Sequence, residues 1–114
     1  LRVENGDSII LSDITGYDFN DQEINVSTRP VPFTLRNQGN AKLVIRSIEL
    51  SAGDASQFVL AKPALPVTLE PDKEIKISVV FIPRSEGTKT AVLNIKSNDG
   101  VMGFFHLLMT GKGI

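Results

Sequence analysis

The side chains able to do chemistry in this 114-residue chain are few and scattered. His106 is the lone histidine, and there is no cysteine. A general base needs a nucleophile or an acid within hydrogen-bond reach, yet no Gly-x-Ser-x-Gly turn or paired acid–base motif accompanies His106. One imidazole without thiolates also falls short of the ligand set of a zinc site. The run Asp18-Phe19-Asn20-Asp21-Gln22-Glu23 offers oxygen ligands of the kind calcium favours. It lacks the glycine that a calcium loop places sixth, where Glu23 stands, and no bidentate glutamate follows at the required offset. Asn25-Val26-Ser27 fits the N-glycosylation pattern, which matters only in a secreted eukaryotic protein. The sequence therefore predicts no catalytic residue, no metal ligand and no cofactor.

Composition narrows the partners. With 41% hydrophobic and 22% charged residues the chain reads as globular, and its length suits a single domain over residues 1–114. A net charge of −1 supplies no basic field for phosphate, so nucleic acid is not expected as a partner. No apolar run approaches the roughly 18 residues that span a bilayer, so no membrane insertion is expected. Charge is unevenly spread: residues 1–30 hold six acids against Arg2 and Arg29, and residues 31–114 hold ten bases against seven acids. An acidic, solvated segment on a mildly basic body accounts for this. Without Trp, and with Tyr17 as the single Tyr, carbohydrate recognition has little to stand on. The missing cysteines leave the compartment undecided. Because the chain opens on Leu1 without an initiator Met, it is expected to be cut from a longer protein, and the lack of a signal peptide carries no weight.

What could position any functional side chain is a set of short strands. Residues 1–10 read as two extended pieces around Asn5-Gly6, a dipeptide that tolerates positive φ in a hairpin. Residues 11–23 are polar and are expected to wander across an edge, with Ile24 and Val26 opening a further extended stretch. Pro30 and Pro32 suit an edge strand or the start of a strand. Phe33 and Leu35 then face one way, Asn37-Gln38-Gly39-Asn40 turns the chain, and Leu43, Ile45, Ile48 and Leu50 follow. The apolar phase slips between Ile45 and Ile48, which predicts a β-bulge near Arg46-Ser47.

Gly53-Asp54-Ala55-Ser56-Gln57-Phe58 is the one candidate helical turn, with Asp54 as its cap. Residues 67–81 read as a hairpin cornered by Pro71 and Asp72. Its second strand alternates Ile75, Ile77, Val79 and Phe81 with Lys76 and Ser78, the period of a half-buried strand. Ala91, Leu93 and Ile95 repeat that pattern, Ser97 to Gly100 makes the last corner, and the final strand spans Phe104 to Thr110. The sum is an all-β fold, an immunoglobulin-like antiparallel sandwich of about seven strands with no disulfide. If Phe105, Leu107 and Met109 point inward, then Phe104, His106 and Leu108 share the outer face and form a candidate contact patch, unless the N-terminal segment covers them.

The order of these pieces carries a resemblance over nearly the whole chain. Phe33 with Asn37 and Gly39, the Asp54–Phe58 segment, Phe81 with Pro83, Gly87–Lys89, Ser97–Asp99 and the closing Leu108-Met109-Thr110-Gly111-Lys112-Gly113 resemble the choice-of-anchor D domain. That family sits in the hydin-like and abnormal-spindle-like group of immunoglobulin-like domains, similar to major sperm protein and pilus-chaperone sandwiches. Asn20 and Asp72 depart from it, standing where glycine is common. The resemblance implies a non-catalytic spacer or adhesive module of a large secreted or cell-surface bacterial protein, often repeated, whose partners are neighbouring domains of the same chain or another protein. Its cilium and centrosome relatives imply the alternative, an intracellular protein-docking module, for instance one that adds a strand to an exposed sheet edge. The terminal Thr110-Gly111-Lys112-Gly113-Ile114 resembles the handover between successive domains.

Overall fold

A computed structural model describes every residue except 7, 11, 13, 14, 101 and 102. Alternating side chains give each strand one face to bury, and two five-stranded sheets bury those faces against each other. The first sheet runs in the order β2 (Ser8–Ile10), β1 (Arg2–Asn5), β4 (Val31–Arg36), β8 (Glu74–Phe81), β6 (Phe58–Ala61). The second runs β3 (Gly16–Gln22), β10 (Phe104–Gly113), β9 (Gly87–Ser97), β5 (Leu43–Ser51), β7 (Val67–Leu69). Phe33, Leu35, Ile77, Val79 and Phe81 from the first sheet meet Ile45, Ile48, Leu93, Ile95, Phe105, Leu107 and Met109 from the second. The expected inward row is thus the core, and packing holds the sheets together.

Several local readings hold. β1 and β2 form the expected hairpin, although Asn5 is the last residue of β1, paired with Ser8, so that of the Asn5-Gly6 dipeptide only Gly6, at φ 58°, lies in the turn. The β5–β9 register slips between Ile45 and Ser47, where the bulge was expected. In β10, Phe105, Leu107 and Met109 are buried.

The differences have physical causes. The described residues form ten strands, where about seven were expected. Part of the excess comes from short edge strands, because the segment Pro63–Pro66 divides β6 from β7 and sends them to opposite sheets. Residues 67–81 are accordingly no hairpin: β7 pairs with β5, and β8 pairs with β4 and β6. The Pro71-Asp72 corner is real, with Asp72 at φ 67° and the Lys73 amide donating to the Glu70 carbonyl at 3.0 Å, but it arches from one sheet to the other.

Residues 16–22 do not wander. They form β3, which runs parallel to β10, so the sandwich is not purely antiparallel. Tyr17 and Phe19 anchor β3 on the core: their rings meet edge to face at 4.9 Å, and Tyr17 also meets Phe33 of the opposite sheet at 5.6 Å. Beyond β3, Ile24 and Val26 start no strand. Asn25 takes φ 63°, the Val26 amide donates to the Glu23 carbonyl at 3.1 Å, and Val26 is left exposed in a turn. Finally, Asp54 precedes a 3₁₀ turn (Ala55–Gln57) without capping it. Its carboxylate instead accepts from the Thr90 amide at 3.1 Å while its own amide donates to the Thr90 carbonyl at 2.7 Å, which clamps the turn onto β9.

Candidate interaction surface

β10 positions the three candidate residues by simple alternation. Phe104 is 67% exposed, Leu108 is 50% exposed, and His106 stands half-buried between them on the same outward face. Cross-strand register sets their neighbours on β9: Lys96 beside Phe104, Asn94 beside His106 and Val92 beside Leu108. On the other flank Leu108 pairs with Gly16, which has no side chain to lay over it. The described part of the N-terminal segment reaches this face through Ser12, whose hydroxyl accepts from the His106 amide at 3.0 Å. It leaves the Phe104 ring in solvent. The arrangement offers apolar contact area with a polar rim. Such a surface suits contact with another protein.

The acidic run lies apart from this patch. Asp18, Asn20 and Asp21 line a shallow hollow with Thr88, Thr110, Gly111 and Lys112. The Asp18 carboxylate is taken up locally, accepting from the Asn20 amide at 2.8 Å where Asn20 turns at φ 63°. Lys112 sits in register with Asp21. Among the described residues no group of three or more His, Cys, Asp or Glu could hold a metal ion. Asn25 remains exposed, and its side-chain oxygen accepts from Arg84 Nη1 at 3.3 Å.

The sequence model of the abnormal spindle-like microcephaly-associated, ASPM-SPD-2-Hydin (ASH) domain matches residues 12–103. The chain belongs to the ASH family. This supports the hydin-like part of the resemblance read from the sequence. No curated protein matches the chain. Among solved structures, this ASH domain superimposes on PapD-like domain 7 of human CEP192 with a TM-score of 0.62 at 14% identity, covering 88% of this chain and 82% of that one. It also matches the secreted serine protease VesC from Vibrio cholerae with a TM-score of 0.63 at 15% identity, over 84% of this chain but only 21% of that one. SSP-19, a protein of Caenorhabditis elegans like the MSP-domain family, gives 0.54 at 15% identity over 90% of this chain and 99% of that one. At such identities the shared feature is the sandwich.

One piece that carried the resemblance, Asn37 with Gly39, holds the fold together in this ASH domain. Asn37, 3% exposed, shows how. Its amide nitrogen donates to the Ala41 carbonyl at 2.7 Å and the Leu69 carbonyl at 2.9 Å, and its oxygen accepts from the Gly39 amide at 2.9 Å. Its backbone bonds Asp72 and Lys73 across the arch. Asn37→Ala strands the buried Leu69 carbonyl and should cost roughly 2–3 kcal/mol. A chemical-denaturation midpoint equal to the wild type would show that water replaces the side chain at no penalty.

Residues outside the candidate set also contribute. Val92 joins the β10 patch through register, and Val59, on edge strand β6, is 51% exposed. Alternation along Phe58-Val59-Leu60-Ala61 would have marked Val59 as outward, but not that β6 ends its sheet.

Proposed function

We propose that this ASH domain is a non-catalytic protein-interaction module that docks a neighbouring domain or partner protein through the outward face of β10. The observation that carries the reading is the exposure of Phe104 and Leu108 on a strand whose inward side chains are fully packed. A rigid apolar pair held in a regular strand loses little entropy on contact, which is what a docking face requires. The finer resemblance, to the choice-of-anchor D branch, supports a module that serves as spacer or adhesive unit in a secreted or cell-surface bacterial protein. The likeness to a portion of the secreted protease VesC accords with that setting. The likeness to the CEP192 domain favours a second reading, intracellular docking of the centrosome type. A signal peptide and sorting tail in the full-length sequence support the first reading; coiled-coil or cytoskeletal neighbours support the second.

The test of the surface itself is direct. In the full-length protein, Phe104→Ser combined with Leu108→Ser should weaken docking at least about tenfold by calorimetry. Thermal melting should be nearly unchanged, because both side chains face solvent. Unchanged binding with an unchanged oligomeric state would discard β10 as the contact face.

A further inference from the structure

Among the described residues each sheet ends in strands with no ladder partner on their outer side, and the four edges are not alike. β3 carries Asp18 and Asp21 and bends at Asn20, with a break in its pairing to β10 between Thr110 and Lys112. β7 is three residues long and lies between Pro66 and Pro71; β2 is three residues long. Charge, bulges, proline and brevity are the devices that keep sheet edges from pairing with other chains. β6 (Phe58-Val59-Leu60-Ala61) has no charged residue, no proline and no positive φ.

The register of β6 fixes which of its groups are open. The Ile82 amide donates to the Gln57 carbonyl at 2.8 Å, and Phe58 pairs with Phe81. Hydrogen-bonded pairs alternate along an antiparallel ladder, so Val59 and Ala61 bond β8 while Phe58, Leu60 and Lys62 aim their backbone groups away from it. The Phe58 amide is satisfied by the Ala55 carbonyl. What remains is an ordered row: the Phe58 carbonyl, the Leu60 amide and carbonyl, and the Lys62 amide. That row is its own complement. Turned about a two-fold axis at Leu60, it sets each Leu60 amide against the other Leu60 carbonyl and each Lys62 amide against the other Phe58 carbonyl.

We propose that β6 is a self-association edge, at which a second copy of this domain adds antiparallel through Leu60 and joins the two β2-β1-β4-β8-β6 sheets into one. Val59 of one copy then covers Ala61 of the other on the outer face, and its exposed side chain leaves water. The contact is small. It belongs to the weak class of interfaces, with dissociation in the range of about 0.1–1 mM, and gains strength where copies are held close together. It is separate from the β10 face and does not depend on it.

Sedimentation velocity and amide chemical shifts recorded from micromolar to about 1 mM concentration test the proposal. Wild-type protein should show a mass rising towards the dimer, with the shifts concentrated at Leu60 and Lys62. Val59→Lys, which places like charges on facing edges without touching the core, should weaken association at least about tenfold. Lys62→Pro removes one open amide and should weaken it severalfold while leaving the β8 ladder intact. A monomer at every concentration would overturn the proposal. So would a dimer that survives both β6 variants and is lost instead with Phe104→Ser and Leu108→Ser, a result that would leave the β10 reading standing.

Discussion

Phe81→Ala and Phe33→Ala should each remove about 3–5 kcal/mol of stability, a large part of the roughly 5–15 kcal/mol that a domain of this size holds in total. Both rings are fully buried. The Phe81 ring stacks on Phe58 at 4.8 Å and lies 5.9 Å from Phe19, while Phe33 takes the edge of Tyr17 at 5.6 Å. With no cysteine in the chain, no covalent link between the sheets offsets a cavity opened between them. Phe81 has a second task, since its amide donates to the Thr28 hydroxyl and its carbonyl accepts from the Thr28 amide, each at 3.0 Å. Those bonds tie the 24–30 segment to β8 and survive side-chain truncation, so the loss should come from packing alone. Little soluble, cooperatively melting protein is the expected outcome for either variant, and Phe81→Leu should be milder. Wild-type melting of both alanine variants would mean that the wrong face has been taken for the core.

How far the sequence reached follows from which interactions are local. β8 was legible because Ile75, Ile77, Val79 and Phe81 keep strict alternation, and the β5 bulge because a phase slip leaves a mark in the apolar pattern. β3 was not. Asp18, Asn20 and Asp21 outnumber its apolar residues, and the reason it is a strand lies about ninety residues away, in β10. The Pro71-Asp72 corner was read correctly as a turn, yet a turn specifies its own dihedrals and not which sheet receives the next strand. Asp54 has the type and position of a cap, but β9 presents a better pair of partners at Thr90. At the surface, alternation alone placed Phe104, His106 and Leu108 together on one face. The openness of β6 was beyond reach, because an edge exists only once the strand order is known.

The closing Thr110-Gly111-Lys112-Gly113 makes the sharpest use of the assembled core, and Gly111→Ala should destabilise by about 3 kcal/mol or more. A methyl group at Gly111 would press into the Phe81 ring, 2.7 Å from Cδ2 and 2.9 Å from Cζ. The ring cannot retreat, because Phe58 stacks behind it. Backbone strain plays no part, since Gly111 is not among the residues with positive φ. That separates two causes with opposite signs. An unencumbered glycine inside a strand is worse than alanine by about 0.5–1 kcal/mol on entropic grounds, so alanine would help if space allowed. Space is what Phe81 denies. In a Phe81→Leu background the same Gly111→Ala change should therefore cost much less, with a coupling of about 1–3 kcal/mol in a double-mutant cycle followed by urea unfolding. Equal penalties in the two backgrounds would assign the glycine to some other constraint. A matching recovery would establish that the end of β10 carries a glycine because the central ring of the opposite sheet occupies the volume of its side chain.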